Sequence, residues 1–474
     1  LRRACDSPAD ARRANNTKPD FGAWQPAWEG TPMMKLGLFV QGGGHHVAAW
    51  RDPSVPYGAT QNFAHYCDIA RIAERGLFDM IFLADTVGTF GPDDEEVWRR
   101  GAAASRLEPL TLLSGLAAIT ERIGLVATMS TSFHAPYNVA RFFASLDMIS
   151  AGRAGWNLVT SASWSEPFNF GQTRHIPARE RYARASEFAK VVQGLWNSWD
   201  DDAFVENREA GEYFDLDKMR YLNHSGEYYS VRGPLTVRRS PQGHPVLVQA
   251  GQSEPGRALA AACAEIVFTV QQDLEAAKAF RADLHARAAA LGRSPQGVKV
   301  MPGVVPFVAE TAGEARESFE RLQDMIHPEL GVRVLSEMVG LDLRGLPLDG
   351  PLPEAPPNGA QEGRQRVILD MARRENLSIR EVYRRVTGMR GHRILIGGPG
   401  EIADELELWF REGGADGFNI MPPLFPEGLK AFVDLVIPEL QRRGLFRRSY
   451  EGRTLRENLG LPFPANRAAP RAAE

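Results

Sequence analysis

Val246-Leu247-Val248-Gln249-Ala250-Gly251-Gln252-Ser253-Glu254-Pro255-Gly256-Arg257 runs from an apolar stretch through a Gly/Ser turn into a segment with proline near its first turn. Consecutive apolar residues without alternation suit a strand buried on both faces. Pro255 suits the first turn of a helix, where its missing N–H is not needed. The stretch is therefore one β/α unit, and its turn has chemistry of its own. Free backbone N–H groups at a helix start, with a Ser hydroxyl beside them, make a cradle for a phosphate. Two other readings stand beside that one. Ser253 can be an ordinary N-cap that satisfies the helix's orphan donors. It can also be the nucleophile of a G-x-S-x-G elbow, although Pro255 stands where that motif needs glycine.

The same alternation extends in both directions. Apolar runs at 36–40, 78–83, 123–129, 153–160, 245–250, 265–270, 298–309 and 416–421 read as strands. Helical spacing separates them at 61–76, 109–121, 137–150, 179–198, from 255, 273–291, 312–325, 400–412 and 428–442. About eight strands alternating with helices predict a TIM-like (β/α)8 barrel with large insertions rather than an open sheet. Two excursions interrupt the series, at about 200–240 and 326–392, the second with a turn-rich stretch from Pro351 to Gly359. Excursions of that length on a barrel tend to be functional, and both are expected to act as lids over its mouth. The barrel is expected to span 34–445, preceded by a polar extension (1–33) with little fixed structure and followed by a C-terminal tail (446–474).

Composition narrows the function. A net charge of −4 gives no broad attraction to a polyanion, so nucleic acid is not an expected partner. No apolar run approaches the roughly 18 residues of a membrane span. Three cysteines, Cys5, Cys67 and Cys263, are too few and too scattered for a disulfide framework or a thiolate metal site. The start of the chain lacks the apolar core of a secretory signal, and a cytoplasmic location is expected.

In a barrel of this kind, catalytic residues lie at the C-terminal ends of the strands. His45 and His46 follow Gly42-Gly43-Gly44 directly after the first strand. Neighbouring side chains of an extended chain point opposite ways, so one is expected at the mouth and the other in a structural role. No carboxylate at ligand spacing accompanies them and H-E-x-x-H is absent, so no metal is expected. Asp85 closes the run Phe82-Leu83-Ala84, and His134 follows the third strand. Asn157 sits inside the apolar run Gly155-Trp156-Asn157-Leu158-Val159, where a buried amide needs hydrogen bonds from protein or ligand. Tyr182 begins the long helix after the fourth strand and alone would read as a core tyrosine. Arg232, Arg238, Arg239 and Arg393 could attract an anion, but solvated surface arginines are the simpler reading. Gly397-Gly398-Pro399-Gly400 lacks dinucleotide-motif spacing and suits a helix start.

Taken together, these stretches resemble the bacterial luciferase-like flavin monooxygenases, most of all the branch of the nitrilotriacetate, EDTA and dibenzothiophene-sulfone monooxygenases. Carrying the resemblance are Gly44-His45-His46 to Trp50-Arg51, Leu83-Ala84-Asp85, Trp156 to Ser161, and Arg181-Tyr182 with Arg184-Ala185 and Glu187-Phe188. His224 and Gly226 to Gly233-Pro234-Leu235 and Gln249-Ala250-Gly251 with Ser253 complete it, over about 34–460. The resemblance implies a barrel that binds FMN, supplied as FMNH2 by a separate NAD(P)H:flavin reductase. It implies reaction with O2 to a C4a-(hydro)peroxyflavin that oxygenates a small organic substrate, in a homodimer or larger assembly. By the family pattern Asp85 and Thr128 lie beside the isoalloxazine, and Asn157 reaches the flavin or its ribityl chain. Tyr182, Gly251 and Ser253 hold the phosphate end, and His45 or His46, with His134, face the substrate. One position departs: Ala178 stands where the family commonly has a polar residue, often His, which implies either that backbone makes this contact or that fewer side chains hold the phosphate, with weaker FMN binding as the expectation. The competing readings are an F420- or flavin-dependent oxidoreductase of the same superfamily and, from another class, a serine hydrolase using Ser253.

Overall fold

The computed structural model describes residues 33–89, 95–102, 105–163, 165–354, 362–386, 388 and 391–466. The extension expected over 1–33 lies outside the described residues, Met33 apart. In chain order the strands are β1 (Lys35–Phe39), β2 (Met80–Leu83), β3 (Gly124–Ser130), β4 (Ala154–Val159), β5 (His224–Ser225) and β6 (Ser230–Val231). They continue with β7 (Val246–Gln249), β8 (Ile266–Thr269), β9 (Lys299–Val308), β10 (Arg393–Gly397) and β11 (Gly417–Ile420).

Eight of these close a ring in the order β9-β11-β1-β2-β3-β4-β7-β8, with β8 returning to β9. All of its pairings are parallel. The barrel expected from the alternation is therefore present, with every expected strand in it. A strand the alternation does not show is β10, which pairs with Val304–Val308 at the outer half of β9. Its sequence, Arg-Ile-Leu-Ile-Gly, is short and only partly buried, so nothing in its pattern separates it from the end of the preceding excursion.

Strands of this barrel are apolar on both sides because both sides are covered. Inward-facing Phe39, Met80, Phe82, Val126, Val248 and Met301 pack together inside the ring. Leu36, Leu38, Ile81, Leu83, Leu125 and Ala127 pack outward against the helices. Local chemistry sets the helix starts. Asn62 accepts from Ala64 N at 3.1 Å and caps Phe63–Arg75. Glu108 caps Pro109–Ala117, and Thr311 with Glu314 forms a capping box on Ala312–Asp324. Pro399 is the first residue of the helix Pro399–Arg411, as its sequence suggests.

The stretch expected as a tail is, as far as residue 466, part of the barrel. Leu455, Leu459 and Leu461 are fully buried and join the interior cluster. They plug the ring at the strands' N-terminal ends, where Lys35 Nζ donates to Asn458 O at 2.8 Å. Arg456 is buried there in an ion pair with Glu265, and its Nε donates to Gln242 O at 3.0 Å. A short polar segment gave no pattern to reveal this, since the burial comes from the open end of a distant ring.

The two excursions go to different places. Residues 200–240 lie along the flank of the helix Ala178–Trp196, where Glu187 Oε1 accepts from Tyr229 N at 2.9 Å. They also reach the C-terminal segment, where Asn466 Nδ2 donates to Asp200 Oδ1 at 2.7 Å. The excursion's hairpin β5–β6 lies against the first half of that helix, where the Arg184 guanidinium is 5.5 Å from the Tyr228 ring. Residues 326–392 form helices Pro328–Val339, Glu362–Arg374 and Ile379–Val386 around a small apolar core of their own, including Leu335, Val339, Ile379 and Tyr383. That core takes in Ala48, and Val47 N donates to Gly388 O at 3.2 Å, so this insertion docks on the loop that follows β1.

Candidate active site

Thr128 of β3 and Asn157 of β4 are register partners at the C-terminal half of their strands. Asn157 Nδ2 donates to Thr128 Oγ1 at 2.8 Å. Asn157 Oδ1 is buried and accepts no hydrogen bond from the protein. A buried acceptor in that state costs about 1–3 kcal/mol, and the cost is recovered when a ligand or water donates to it.

Asp85 stands two residues beyond β2, beside Thr86 and 3.8 Å from Arg106 Nη1. Burial pushes its carboxyl up to about 6, against the pull of Arg106 and the Thr86 backbone and with the repulsion of Glu108 and Glu166. Near neutrality this group exchanges its proton, which is unusual for an aspartate and typical of a site. Asp85 lines two adjoining depressions at the mouth. One, of about 170 Å³, is bounded by Phe39, His45, Trp50, Asp85, Arg106 and Leu112. The other is smaller and is bounded by Asp85, Glu108, Thr128, His134, Ser161 and Glu166.

Both histidines after β1 are buried. His45 Nε2 is 2.8 Å from the Phe39 carbonyl, and its ring meets Phe39 edge-on at 4.5 Å. His46 Nδ1 accepts from Ala48 N at 3.1 Å, and burial lowers its pKa to about 4, so it is neutral at physiological pH. His46 Nε2 points into the seam with the 326–392 insertion, where a Cβ added to Gly388 would come within 2.9 Å of it. His134 is half-buried in the smaller depression, and burial lowers its pKa against the field of Glu108.

Ser253 caps the helix Glu254–Cys263, its Oγ accepting from Gly256 N at 3.3 Å. Tyr182, on the helix Ala178–Trp196, brings its hydroxyl within 3.3 Å of the same oxygen. Gly251 N donates to Gln249 Oε1 at 2.7 Å, and a Cβ on Gly251 would lie 2.9 Å from Gly256 Cα. The turn and helix start are thus packed so closely that only glycine fits, which leaves the helix N-terminus facing outward with two hydroxyls beside it. Among the described residues the hydrogen-bond partners of Ser253 are Tyr182 and Gly256 N, neither of which is a general base. The hydrolase reading therefore lacks the group that would activate the serine. Ala178 is exposed at the first turn of its helix, which has no side-chain cap.

The structure adds residues that sequence reasoning passed over. Arg106 is the ion-pair partner of Asp85. Glu166, buried, accepts from Thr86 Oγ1 at 2.8 Å and Ser163 N at 2.9 Å, tying the loops after β2 and β4 together. Both lie in loops without periodicity, and only the folded ring brings them to Asp85. The arginines singled out in the sequence are engaged elsewhere: Arg238 with Glu206, Arg239 with Asp201, Arg393 with Glu405, and Arg232 over the Tyr221 ring.

A parallel ring with an amide acceptor, a perturbed carboxylate and an anion cradle at its mouth is the form of a cofactor-binding barrel enzyme. The family described as luciferase-like monooxygenase matches residues 34–417, and the chain belongs to that family and is a flavin-dependent monooxygenase. It is 49% identical over 440 residues to the N-acetyl-S-(2-succino)cysteine monooxygenase of Bacillus subtilis, covering 92% of this chain and 98% of that one. It is also 49% identical over 446 residues to component A of the nitrilotriacetate monooxygenase of Aminobacter aminovorans, with the same coverage. A solved structure of a riboflavin lyase with modified FMN and riboflavin is 30% identical, with a TM-score of 0.78 over 90% of this chain and 96% of that one.

Proposed function

We propose that this chain is the oxygenating component of a two-component system. It binds FMN as FMNH2 delivered by a separate NAD(P)H:flavin reductase, and with O2 it oxygenates a small organic substrate. The observation that carries the reading is the convergence of Tyr182 and Ser253 on one helix N-terminus, 3.3 Å apart though 71 residues distant in the chain. Backbone N–H groups, the helix dipole and two hydroxyls there suit the phosphate of a flavin mononucleotide. The relative from Aminobacter is named as one component of an enzyme, which supports a separate reductase.

When bound, reduced FMN supplies the oxygen-activating chemistry. The chain's own residues bind and orient it. Asn157 Oδ1 offers a buried acceptor to a ring or ribityl donor, with Thr128 fixing the amide's orientation. Asp85, close to half protonated near pH 6, can accept or donate at the ring edge. Tyr182, Gly251 and Ser253 take the phosphate. Of the three histidines, His134 is the one placed to move a proton at the substrate side. His45 is tied to the Phe39 carbonyl and His46 to Ala48 N, so these two shape the wall. A homodimer or larger assembly belongs to the same reading.

Anaerobic titration with FMNH2, followed by mixing with oxygenated buffer, tests the proposal. Saturation near one FMNH2 per chain, with reoxidation kinetics distinct from those of free FMNH2, is the expected result. Failure to bind FMNH2 overturns it.

A further inference from the structure

We propose that Glu166 is a positioning residue for Asp85: buried between the loops after β2 and β4, it fixes the loop that carries Asp85 and sets a second negative charge behind it, so that Asp85 meets the flavin able to donate as well as accept. This deepens the function proposed above and rests on its flavin site.

Glu166 is 2% exposed. Its Oε1 accepts from Thr86 Oγ1 at 2.8 Å and from Val87 N at 3.3 Å, and its Oε2 accepts from Ser163 N at 2.9 Å. These partners are all donors, the surroundings that suit an ionised carboxylate. Thr86 directly follows Asp85, and Asp85 and Glu166 line the same small depression. His175 Nε2, which donates to Ser163 O, stands 3.8 Å from Glu166 Oε2.

The two loops have other ties. Thr89 N donates to Ser165 Oγ at 3.0 Å, Ser165 Oγ donates to Thr89 O at 2.7 Å, and Asn169 Nδ2 donates to Val87 O at 2.8 Å. They approach so closely that a Cβ on Gly88 would lie 2.5 Å from Ser165 Oγ. A neutral amide at 166 could accept from Thr86 as a carboxylate does, without the desolvation cost of a buried charge. What the carboxylate adds is its field, and the group it acts on is Asp85.

Burial is the main force against ionisation of Asp85. Arg106 at 3.8 Å opposes it, and Glu108 and Glu166 reinforce it. The two acids are not equivalent. Glu108 is exposed and spends its oxygens on Leu110 N and Thr111 N at the start of the helix Pro109–Ala117, where solvent and the helix dipole offset its charge. Glu166 is buried, and a buried charge is screened much less. Of the other titratable groups around Asp85, His134 is held toward its neutral form by burial, while His45, His46 and Tyr66 border the larger depression on its far side.

Infrared difference spectroscopy of the flavin-free protein titrates the Asp85 carboxyl, with Asp85→Asn identifying its band. The pH dependence of anaerobic FMNH2 binding is measured alongside. The wild-type carboxyl should titrate near 6, and FMNH2 affinity should change slope at the same pH. Glu166→Gln should lower both midpoints together by about half a pH unit or more. Glu166→Asp, which keeps the charge, should lower them less. Ser165→Ala loosens the same loops, keeps the charge and should leave the Asp85 midpoint in place. A wild-type midpoint at or below the ordinary 3.8 overturns the proposal without any variant. So does a midpoint that Glu166→Gln leaves unmoved, or one that Ser165→Ala moves as far. Absence of FMNH2 binding by the wild type counts against the flavin reading, whereas the infrared titration needs no flavin and decides the effect of Glu166 by itself.

Discussion

Asn157 gives its amide hydrogen to Thr128 Oγ1 at 2.8 Å across the β3–β4 pair, which leaves Asn157 Oδ1 buried at the barrel mouth without a protein donor. The orientation of the amide is thus set by one strand neighbour, and its remaining capacity is held for something that is not protein. Stability and function are opposed at this position.

Replacing Asn157 with Leu, similar in volume, removes that unfilled acceptor. The flavin-free variant should be as stable as the wild type or more so, by up to about 1–2 kcal/mol, while its FMN affinity falls at least ten-fold. Chemical denaturation and flavin fluorescence titration read the two effects. A large loss of stability with unchanged FMN affinity would mean the amide serves the fold alone.

Ser253 has two roles that two substitutions separate. Ser253→Ala should weaken FMN binding by about 1–3 kcal/mol, the loss of a charge-assisted hydrogen bond. It should also cost about 1 kcal/mol of stability through the lost N-cap. Ser253→Gly should lose the same FMN affinity and only a few tenths of that stability, because glycine is tolerated at N-caps. Equal FMN affinity in all three proteins would move the phosphate elsewhere.

Asp85 titrates near 6 in the fold because burial outweighs Arg106. Between roughly pH 4 and 6 the native state therefore keeps a proton that the unfolded chain releases, and stability falls as pH rises through that window. Asp85→Asn should match the wild type near pH 4 and exceed it by about 1–3 kcal/mol at pH 7.5. Urea melts at the two pH values check this. A variant less stable at pH 7.5 would show that the attraction to Arg106 dominates instead.

The plug at the far end of the barrel makes a prediction about stability only. Arg456→Ala leaves Glu265 charged and unpaired in a buried site, at a cost of about 3–5 kcal/mol. The double variant Arg456→Met, Glu265→Gln should recover more than half of that. Guanidinium denaturation of the three proteins decides it, and equal midpoints would show that the pair is idle.

Much of the mouth was legible in the sequence, for a reason visible in individual residues. Asp85 closes an apolar run, Asn157 interrupts one, and Ser253 follows one by a glycine turn. In a parallel barrel such positions lie at the ring's top by construction. Arg106 and Glu166 had no such marker. They lie in loops whose path depends on what packs beneath them, and their partners are 21 and 80 residues away in the chain. The strand β10 was hidden for a related reason. Its pattern is ambiguous until β9 offers an edge.

The sequence alone determined the alternation of strands and helices, hence the barrel, and also the turn chemistry at Gly251 and Ser253. These follow from local rules, since burial on two faces selects unbroken apolar runs and a helix start selects Ser and Pro. Tertiary structure decided where the excursions went, turned the apparent tail into the plug of the ring, and set Arg106 against Asp85. Those outcomes depend on surfaces that exist only after the ring has closed, and no spacing along the chain encodes which open end or carboxylate a distant side chain will meet.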